Sequence, residues 1–279
     1  MRVLVVLPTF NESATIVEVL RRVRSVVPDA ALLVVDDSSP DSTADLAEAA
    51  GRELGGVEVH RRPHKAGLGS AYRQAFSRGL SEGYDVLVQM DSDLSHDPSV
   101  LPGLLEGVER GADVAVGSRY VPGGRIPDWS WHRRALSRWG NRYARFALGL
   151  TVRDATSGFR AYRREVFSGI DLERMASDGY GFQVEMAYRV ERAGGRMVEL
   201  PIEFRDRAEG CSKMSGRIIA EALLLVSWWG LRDLVRGSRL RGPEGRGGDA
   251  DGEATPPLVL RRRGSGRPAA VPGRARRGA

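Results

Sequence analysis

The sequence predicts a doubly wound α/β domain, in which a mostly parallel sheet carries helices on both faces. Short apolar runs alternate along the chain with longer segments of helical periodicity. The runs are apolar throughout, which is typical of strands that are buried on both faces. With 279 residues, of which 42% are hydrophobic and 28% charged, the chain is long enough to bury a sizeable core.

Five strands and four helices are predicted in alternation. The strands are 3–7, 31–35, 57–60, 86–90 and 114–117, and the helices are 13–27, 41–54, 69–82 and 98–110. Helices of this length between strands favour parallel neighbours in the sheet. The ligand of such a sheet binds beyond the carboxyl ends of its strands.

The chain divides into a folded domain, 1–236, and a tail, 237–279. Residues 241–279 contain nine arginines and four acids, and therefore carry five of the six net positive charges. This stretch also contains nine glycines and five prolines, so we expect it to be disordered. Its arginine clusters suit a tether to anionic lipid or RNA, although an arginine-rich tail without a specific role is the favoured interpretation.

Cysteine content and hydropathy narrow the cellular context. Cys211 is the single cysteine, which excludes an intramolecular disulfide framework and fits a reducing compartment. The first residues show no signal peptide, and the most apolar stretch, 218–231, is interrupted by Glu221 and too short to span a bilayer. We expect a soluble protein or one that lies on a surface.

Polar segments follow all five predicted strands. They are 8–12 (PTFNE), 36–39 (DDSS), 65–69 (KAGLG), 91–93 (DSD) and 118–120 (SRY). Because parallel strands end at the same edge of a sheet, we expect these segments to form one site. The sequence lacks both G-x-G-x-x-G after the first strand and G-x-x-x-x-G-K-[ST], the main signatures of NAD-binding modules and P-loop ATPases.

Asp91 and Asp93 are candidates for a metal site. In an extended strand they would face opposite ways, so a shared site requires the chain to turn. Held together, they suit Mg²⁺ or Mn²⁺ bound jointly with a diphosphate, whereas a lone D-x-D also serves in turns and helix caps. The four histidines lack metal-ligand spacing, and a structural role is favoured for each.

Lys65 and Lys213 are the only lysines among 42 basic residues. An ammonium is a compact point charge and a guanidinium is a planar fork, so a lysine in an arginine-rich chain marks a candidate functional position. Lys65 precedes a glycine loop whose backbone N–H groups suit part of a nucleotide.

Seven motifs, in this order, resemble those of the dolichol-phosphate and polyprenol-phosphate mannosyltransferases, which are inverting glycosyltransferases of the GT-A type. The motifs are PTFNE (8–12), VVDDSSPDST (34–43), KAGLGSA (65–71), MDSDLSHDP (90–98), GSRYVPGG (117–124), SGFRAYRR (157–164) and DRAEGCSKM (206–214). The resemblance covers residues 1–235 and implies the GT-A fold, a Rossmann-like, mixed and mostly parallel sheet. It also implies transfer of mannose from GDP-mannose to a polyprenyl monophosphate with inversion.

The resemblance assigns roles to individual residues, with Asp91, Asp93 and Arg119 as the catalytic group. The nucleoside would contact Pro8, Phe10, Glu12, Val35 and Asp37, with Asp37 at the guanine edge. The cation, Mg²⁺ or Mn²⁺, would bind Asp91, Asp93 and Ser95, with the Ser92 backbone against the donor. The donor diphosphate would contact Arg207 and Lys213, the transferred sugar Arg119, and the acceptor phosphate Arg119, Arg133 and Arg138.

Three positions depart from the family pattern. Phe10 stands where tyrosine is common, which removes one hydroxyl donor. Ser95 stands where some members have glutamine, so a water can replace that metal ligand. Cys211 stands where glutamate is usual, and no role is assigned to it.

The implied reaction has an anionic phosphate oxygen as its nucleophile, so it requires no general base. Its lipid acceptor implies peripheral association with the cytoplasmic face of a membrane, with or without an anchoring partner protein. Two segments offer contact surfaces: 129–139, rich in tryptophan and arginine, and 218–234, for which a buried helix explains the pattern equally well.

Two other functions stay open at this point. A related enzyme on the same fold would use UDP-glucose, another nucleotide sugar or a different acceptor. A non-catalytic nucleotide-binding or RNA-binding protein would act through the basic tail. We expect no nucleic-acid partner, because the folded part is nearly neutral once the charge of the tail is set aside.

Overall fold

The computed structural model describes residues 1–175, 177, 180–206 and 216–235. Its strands are β1 (Val3–Thr9), β2 (Ala31–Asp36), β3 (Val57–Arg61), β4 (Val86–Gln89), β5 (Val114–Ser118), β6 (Arg160–Arg163) and β7 (Met197–Pro201). They form one sheet in the order β3-β2-β1-β4-β6-β5-β7. β6 is antiparallel to both neighbours and the other strands are parallel to one another, which confirms the predicted mixed, mostly parallel sheet.

The helices are α1 (Ile16–Val26), α2 (Thr43–Leu54), α3 (Leu68–Ser81), α4 (Leu101–Glu109), α5 (Trp131–Leu148), α6 (Tyr180–Arg192) and α7 (Gly216–Val235). The four helices predicted from periodicity correspond to α1–α4, with small shifts at their ends. The starts of α1 and α4 each shift by three residues; at α1, residues 13–15 stay outside the helix. There the Thr15 hydroxyl donates a hydrogen bond to the Ser92 carbonyl at 2.8 Å, across the site edge of the sheet.

Both faces of the sheet are covered by helices, as predicted. Successive residues of β1 point to opposite faces. Val3, Val5 and Leu7 pack in the cluster that contains α1, α2 and α4, and Leu4 and Val6 pack in the cluster that contains α3 and α6. A third cluster joins α5, α6 and α7 at one side.

The apolar pattern does not predict β6, and the physical reason is a buried arginine. Arg160 is fully buried in this strand, where an aliphatic residue would be expected. Its Nη1 donates to the Gln183 carbonyl at 3.0 Å and its Nη2 to the Ala155 carbonyl at 2.7 Å. The guanidinium is accommodated in the core by these hydrogen bonds to backbone carbonyls. The strand therefore lacks the apolar run that would have predicted it.

The strand order places a crevice between β1 and β4. The chain proceeds outward from β1 to β2 and β3, then crosses back to β4 on the other side of β1. Ligands of doubly wound sheets bind at such a switch point. The loop after β4 contacts the end of β1, where the Ser92 hydroxyl donates a hydrogen bond to the Pro8 carbonyl at 2.8 Å. Within the described ranges, no helix is both long enough and apolar enough to cross a membrane.

Candidate active site

The carboxyl ends of β1 and β2 are joined by a buried polar contact. The Thr9 hydroxyl donates to Asp36 Oδ1 at 2.8 Å. The neighbouring Asp37 is buried, and its carboxylate accepts hydrogen bonds from Arg62 Nη1 at 2.6 Å and from the Gly67 N–H at 3.1 Å. Asp37 therefore fixes the glycine loop against the end of β2.

The predicted nucleoside residues lie together at this corner of the sheet. Pro8 and Val35 are directly paired in the register of β1 and β2. Val35 is buried in the core on the α3 side, and Phe10 is half-buried beneath the ammonium of Lys65. Because both oxygens of Asp37 already accept hydrogen bonds from protein groups, a guanine edge would share them. Contact with a nucleoside stays a prediction for all five residues: Pro8, Phe10, Glu12, Val35 and Asp37.

The segment after β4 turns sharply at the candidate metal carboxylates. Leu94 has a φ of 62°, a left-handed conformation that costs a branched residue about 1–2 kcal/mol. Within this turn the Ser95 N–H donates to Asp93 Oδ1 at 3.0 Å. Asp93 is buried, whereas the Asp91 side chain is 30% exposed. The chain turns directly after Asp93, and backbone strain of this kind clusters at functional sites. A metal site shared by Asp91 and Asp93 stays a prediction.

The side chains around these carboxylates fit a divalent cation. Ser95 Oγ is buried and has no hydrogen-bond partner among the described residues. A Cβ at Gly158 would lie 3.4 Å from Asp91 Oδ2, so glycine leaves the space beside this carboxylate open. Carboxylate and hydroxyl oxygens suit Mg²⁺ or Mn²⁺. The described residues contain no group of three or more His, Cys, Asp and Glu side chains that suits a metal, so substrate or water would complete the shell.

His96 lies between the carboxylate loop and the arginine side of the site. Its Nδ1 accepts a long hydrogen bond of 3.4 Å from the Asp91 N–H. Its ring stacks on Phe159 at 5.1 Å and meets the edge of Phe204 at 5.4 Å. Burial lowers the pKa of His96 well below its usual value, so the ring is neutral at pH 7. These contacts agree with the structural role favoured from the sequence.

Arg119 follows β5 and is almost fully buried. Its Nε and Nη2 donate to the two oxygens of Asp154, both at 2.7 Å. Aromatic rings of Tyr120, Trp129 and Phe204 surround the guanidinium, with centroids 5.3 to 5.8 Å from its central carbon. The role of Arg119 toward sugar and phosphate stays a prediction, but its orientation is fixed by these neighbours.

The other two arginines predicted for the acceptor phosphate project from α5 toward the same region. Arg133 Nη1 donates to both oxygens of Asp206, at 2.9 and 3.1 Å, and its guanidinium lies 4.0 Å from the Trp129 ring centroid. The guanidinium of Arg138 lies 5.9 Å from the ring centroid of Tyr120, which also contacts Arg119. The structure therefore brings Arg119, Arg133 and Arg138 into one neighbourhood.

Trp129 is expected from the sequence to belong to the membrane-contact surface of 129–139, but the structure places it inside the site. Trp129 is 7% exposed, because it packs between the guanidinium of Arg133 and the ring of Phe204. It therefore lines the arginine side of the site and offers little surface to a bilayer. Trp131 and Trp139, by contrast, are 75% and 53% exposed.

The segment after β7 contacts both the carboxylate loop and the arginine side of the site. The Arg205 N–H donates to the Ser95 carbonyl at 3.2 Å, and the Phe204 N–H to the Arg125 carbonyl at 2.9 Å. The chain leading toward 207–215 therefore starts beside the carboxylate loop. Arg207 and Lys213, predicted for the donor diphosphate, lie outside the described residues, as does the predicted tail, 237–279.

Comparison with known proteins decides the family. Residues 4–170 match the model of a protein family described as glycosyl transferase family 2. The chain belongs to glycosyl transferase family 2. The matched residues contain the loops after β1 to β5 and the segment before β6, so they include both the carboxylate loop and Arg119. This glycosyltransferase is therefore an enzyme, and the non-catalytic interpretation of the sequence is wrong.

Two relatives match almost the whole described part of the glycosyltransferase. One, from Micrococcus luteus, is named undecaprenyl-phosphate mannosyltransferase; it is 49% identical over 241 residues, which are 86% of this chain and 99% of that one. The other, from Mycolicibacterium smegmatis, is named polyprenol monophosphomannose synthase; it is 48% identical over 240 residues, 85% of this chain and 91% of that one. The resemblance to polyprenol-phosphate mannosyltransferases is confirmed.

A solved structure supports the fold of the glycosyltransferase. The mannosyl-3-phosphoglycerate synthase from Rubrobacter xylanophilus superposes with a TM-score of 0.60 at 21% identity, over 87% of this chain and 78% of that one. At this identity the likeness concerns the fold alone. The predicted GT-A architecture is confirmed.

Sequence analysis misses two side chains of the glycosyltransferase site. Asp154 lies three residues before the motif SGFRAYRR (157–164). Its position next to a family motif is the one sequence feature that could have marked it as a site residue. Phe204 is an ordinary aromatic residue in an exposed-looking stretch. Its contact with both Arg119 and His96 depends on tertiary packing, which local sequence does not encode.

Proposed function

We propose that this glycosyltransferase transfers mannose from GDP-mannose to a membrane polyprenyl monophosphate, with inversion at the anomeric carbon. The observation that carries the proposal is the two-sided site, with a carboxylate loop on one side of His96 and Phe204 and a cluster of three arginines on the other. The names of the two bacterial relatives support mannose and a polyprenyl phosphate. GDP as the nucleotide rests on the motif resemblance.

The donor side would hold a cation and the sugar nucleotide. Asp91, Asp93 and the orphaned hydroxyl of Ser95 are the groups that would hold Mg²⁺ or Mn²⁺. When bound, such a cation neutralises charge that develops on the departing nucleoside diphosphate. The loops at Phe10 and Asp37 would hold the nucleoside, at the crevice where the strand order reverses.

The acceptor side would bind a phosphate. Arg119, Arg133 and Arg138 supply positive charge and directed N–H donors, which suit a phosphate group. The phosphate oxygen is anionic before it attacks, so the residues need only align it with the anomeric carbon. A general base is not required, which agrees with the structural contacts of His96, whose ring stacks on Phe159 and whose Nδ1 accepts a hydrogen bond from the Asp91 N–H.

The helices α5 and α7 offer a surface for peripheral contact with the membrane. They pack side by side: the Tyr143 and Ser227 hydroxyls lie 2.6 Å apart. Each helix exposes an apolar stripe, Trp131, Trp139 and Phe146 on α5 and Leu224, Trp228 and Leu231 on α7. Trp229 and Val226, on the opposite side of α7, are buried. The buried face of α7 agrees with the buried-helix interpretation of 218–234, and the exposed stripe is the face that would meet the membrane.

The arginines of α5 suit contact with an anionic bilayer, because their charge is opposite to that of its headgroups. A groove of about 480 Å³ runs along α5, lined by Ala135, Arg138, Trp139, Arg142, Tyr143 and Phe146. Apolar rings combined with arginines are typical of segments at a membrane interface. We place the enzyme at the cytoplasmic face, with 1–236 as its catalytic domain and without a nucleic-acid partner.

The test is an assay of the purified full chain in vesicles that contain undecaprenyl phosphate. GDP-mannose and UDP-glucose, each radiolabelled in the sugar, are compared with and without a chelator, and the lipid product is identified by mass spectrometry. We expect chelator-sensitive labelling from GDP-mannose and a β-linked mannosyl phospholipid. Labelling from UDP-glucose alone, or from neither donor, would contradict the proposal.

A further inference from the structure

Asp154 is a fully buried carboxylate that receives three hydrogen bonds from Arg119. The Arg119 backbone N–H and Nε donate to Oδ2 at 3.0 and 2.7 Å, and Nη2 donates to Oδ1 at 2.7 Å. Burial alone would raise the pKa of Asp154, but the charge and hydrogen bonds of Arg119 outweigh it and hold that pKa below its usual value. A bidentate contact between a guanidinium and a carboxylate fixes both the plane and the direction of the guanidinium.

The Thr156 hydroxyl completes the contact. It accepts hydrogen bonds from Arg119 Nη2 at 2.7 Å and from Asn141 Nδ2 at 3.1 Å, and it donates to Asp154 Oδ1 at 3.1 Å. A hydroxyl has one donor and two acceptor positions, so this one is fully used. Because Asn141 is a buried residue of α5, the hydroxyl connects Arg119 to the helix that carries Arg133 and Arg138.

Asp154 is itself anchored to the edge strand β7. Its backbone N–H donates to Glu199 Oε1 in β7 at 3.0 Å. The guanidinium of Arg119 is thus held by an anchored carboxylate at one edge and by the rings of Tyr120, Trp129 and Phe204 around it.

We propose that Asp154, together with Thr156, is the positioning group that orients Arg119 toward the acceptor phosphate. The inference rests on the proposed function and deepens it, because it assigns an orientation device to the acceptor side. Arg119 is 7% exposed, so little water is available to compensate a misdirected charge. Positioning by Asp154 is distinct from contact with substrate, which belongs to Arg119.

The kinetic test compares Thr156→Val with Thr156→Ser. The valine variant loses the hydroxyl that contacts Arg119, and we expect the acceptor KM to rise about tenfold with the donor KM unchanged. The serine variant keeps the hydroxyl and should restore the parent value. Thr151→Val is the matched control, since its hydroxyl donates to Glu191 Oε1 at 2.7 Å away from Arg119. Equal kinetics for the two valine variants would overturn the proposal.

A second readout requires no substrate. In the ¹⁵N-labelled full chain, the Nε–H resonance of Arg119, assigned by its loss in Arg119→Lys, should exchange slowly with solvent in the parent and in Thr151→Val. We expect faster exchange in Asp154→Asn and in Thr156→Val at temperatures where circular dichroism shows both variants folded. Unchanged exchange in both would overturn the positioning role. Protected exchange in a parent that transfers no mannose would contradict the proposed function and leave the positioning role supported.

Discussion

The ammonium of Lys65 lies 3.7 Å from the centroid of the Phe10 ring. The two residues belong to different loops, one after β3 and one after β1, and the first of these loops is held by Asp37 through the N–H of Gly67. The cation–π contact therefore closes the corner at which the nucleoside is proposed to bind. One of the two lysines of this arginine-rich chain has a defined partner.

Removal of this contact should weaken donor binding. We expect Lys65→Gln to raise the KM for GDP-mannose about three- to fivefold, which corresponds to the free energy of a partly exposed cation–π contact. Lys65→Arg should stay near the parent value, because a guanidinium also stacks on an aromatic ring. Steady-state kinetics with saturating acceptor measure the effect. An unchanged KM in Lys65→Gln would show that the contact has no part in donor binding.

The carboxylate loop should account for metal dependence. Asp91→Asn and Asp93→Asn are each expected to lower kcat about a hundredfold or more, since electrostatic stabilisation of the leaving group is lost. Asp97→Asn is the matched control: its carboxylate accepts a hydrogen bond from the Ser99 N–H at 3.0 Å and caps a short helical turn in the same loop. Mn²⁺ titration of initial rates, after chelation, measures the effect. Parent-like rates in both site variants would contradict the cation assignment.

Arg133 should act on the acceptor alone. We expect Arg133→Gln to raise the KM for polyprenyl phosphate about tenfold, as for the loss of a hydrogen bond to a charged group, with the donor KM unchanged. Arg22→Gln on α1 is the control; Arg22 is an exposed arginine in an ion pair with Glu18 at 2.6 Å. An equal rise in the KM values of donor and acceptor would speak for a general structural effect.

The apolar stripe of α5 should bind anionic vesicles. We expect Trp139→Ser combined with Phe146→Ser to reduce flotation with phosphatidylglycerol vesicles about tenfold or more, because burial of each large side chain contributes about 1.5–3 kcal/mol. Leu46→Ser, at an exposed leucine on α2, is the control. A chain that ends at residue 240 separates the contribution of the basic tail. If the truncated chain loses vesicle binding and the α5 variant keeps it, the tail is the membrane contact.

The sequence predicts the sheet from β1 to β5 and the loops that follow these strands, because apolar runs and turn residues are local signals. It does not predict α5, β6, α6 or β7. In β6 the reason is an arginine whose position depends on distant partners. Arg160 donates hydrogen bonds to the carbonyls of Gln183 and Ala155, and these carbonyls lie near it only in the folded protein.

The site divides in the same way. Asp91 and Asp93 are recognisable because they are adjacent in the chain and follow a strand. The pairing of Arg119 with Asp154 joins residues 35 positions apart, and the aromatic contacts of Trp129 depend on packing between α5 and the segment after β7. The tryptophan and arginine content of 129–139 distinguishes this segment from the rest of the chain, but it does not predict that Trp129 is buried while Trp131 and Trp139 are exposed.

The reversed strand β6 separates the sheet into two parallel blocks, β3-β2-β1-β4 and β5-β7. The loops at Phe10, Asp37 and Asp91 follow strands of the first block, whereas Arg119 and residues 202–206 follow strands of the second. Recombination at the α4–β5 connection would therefore exchange one block as a unit. We expect a chimera of residues 1–111 of this chain with the second half of a relative to take its nucleoside preference from the first parent, and its acceptor preference and its contacts to the donor diphosphate from the second.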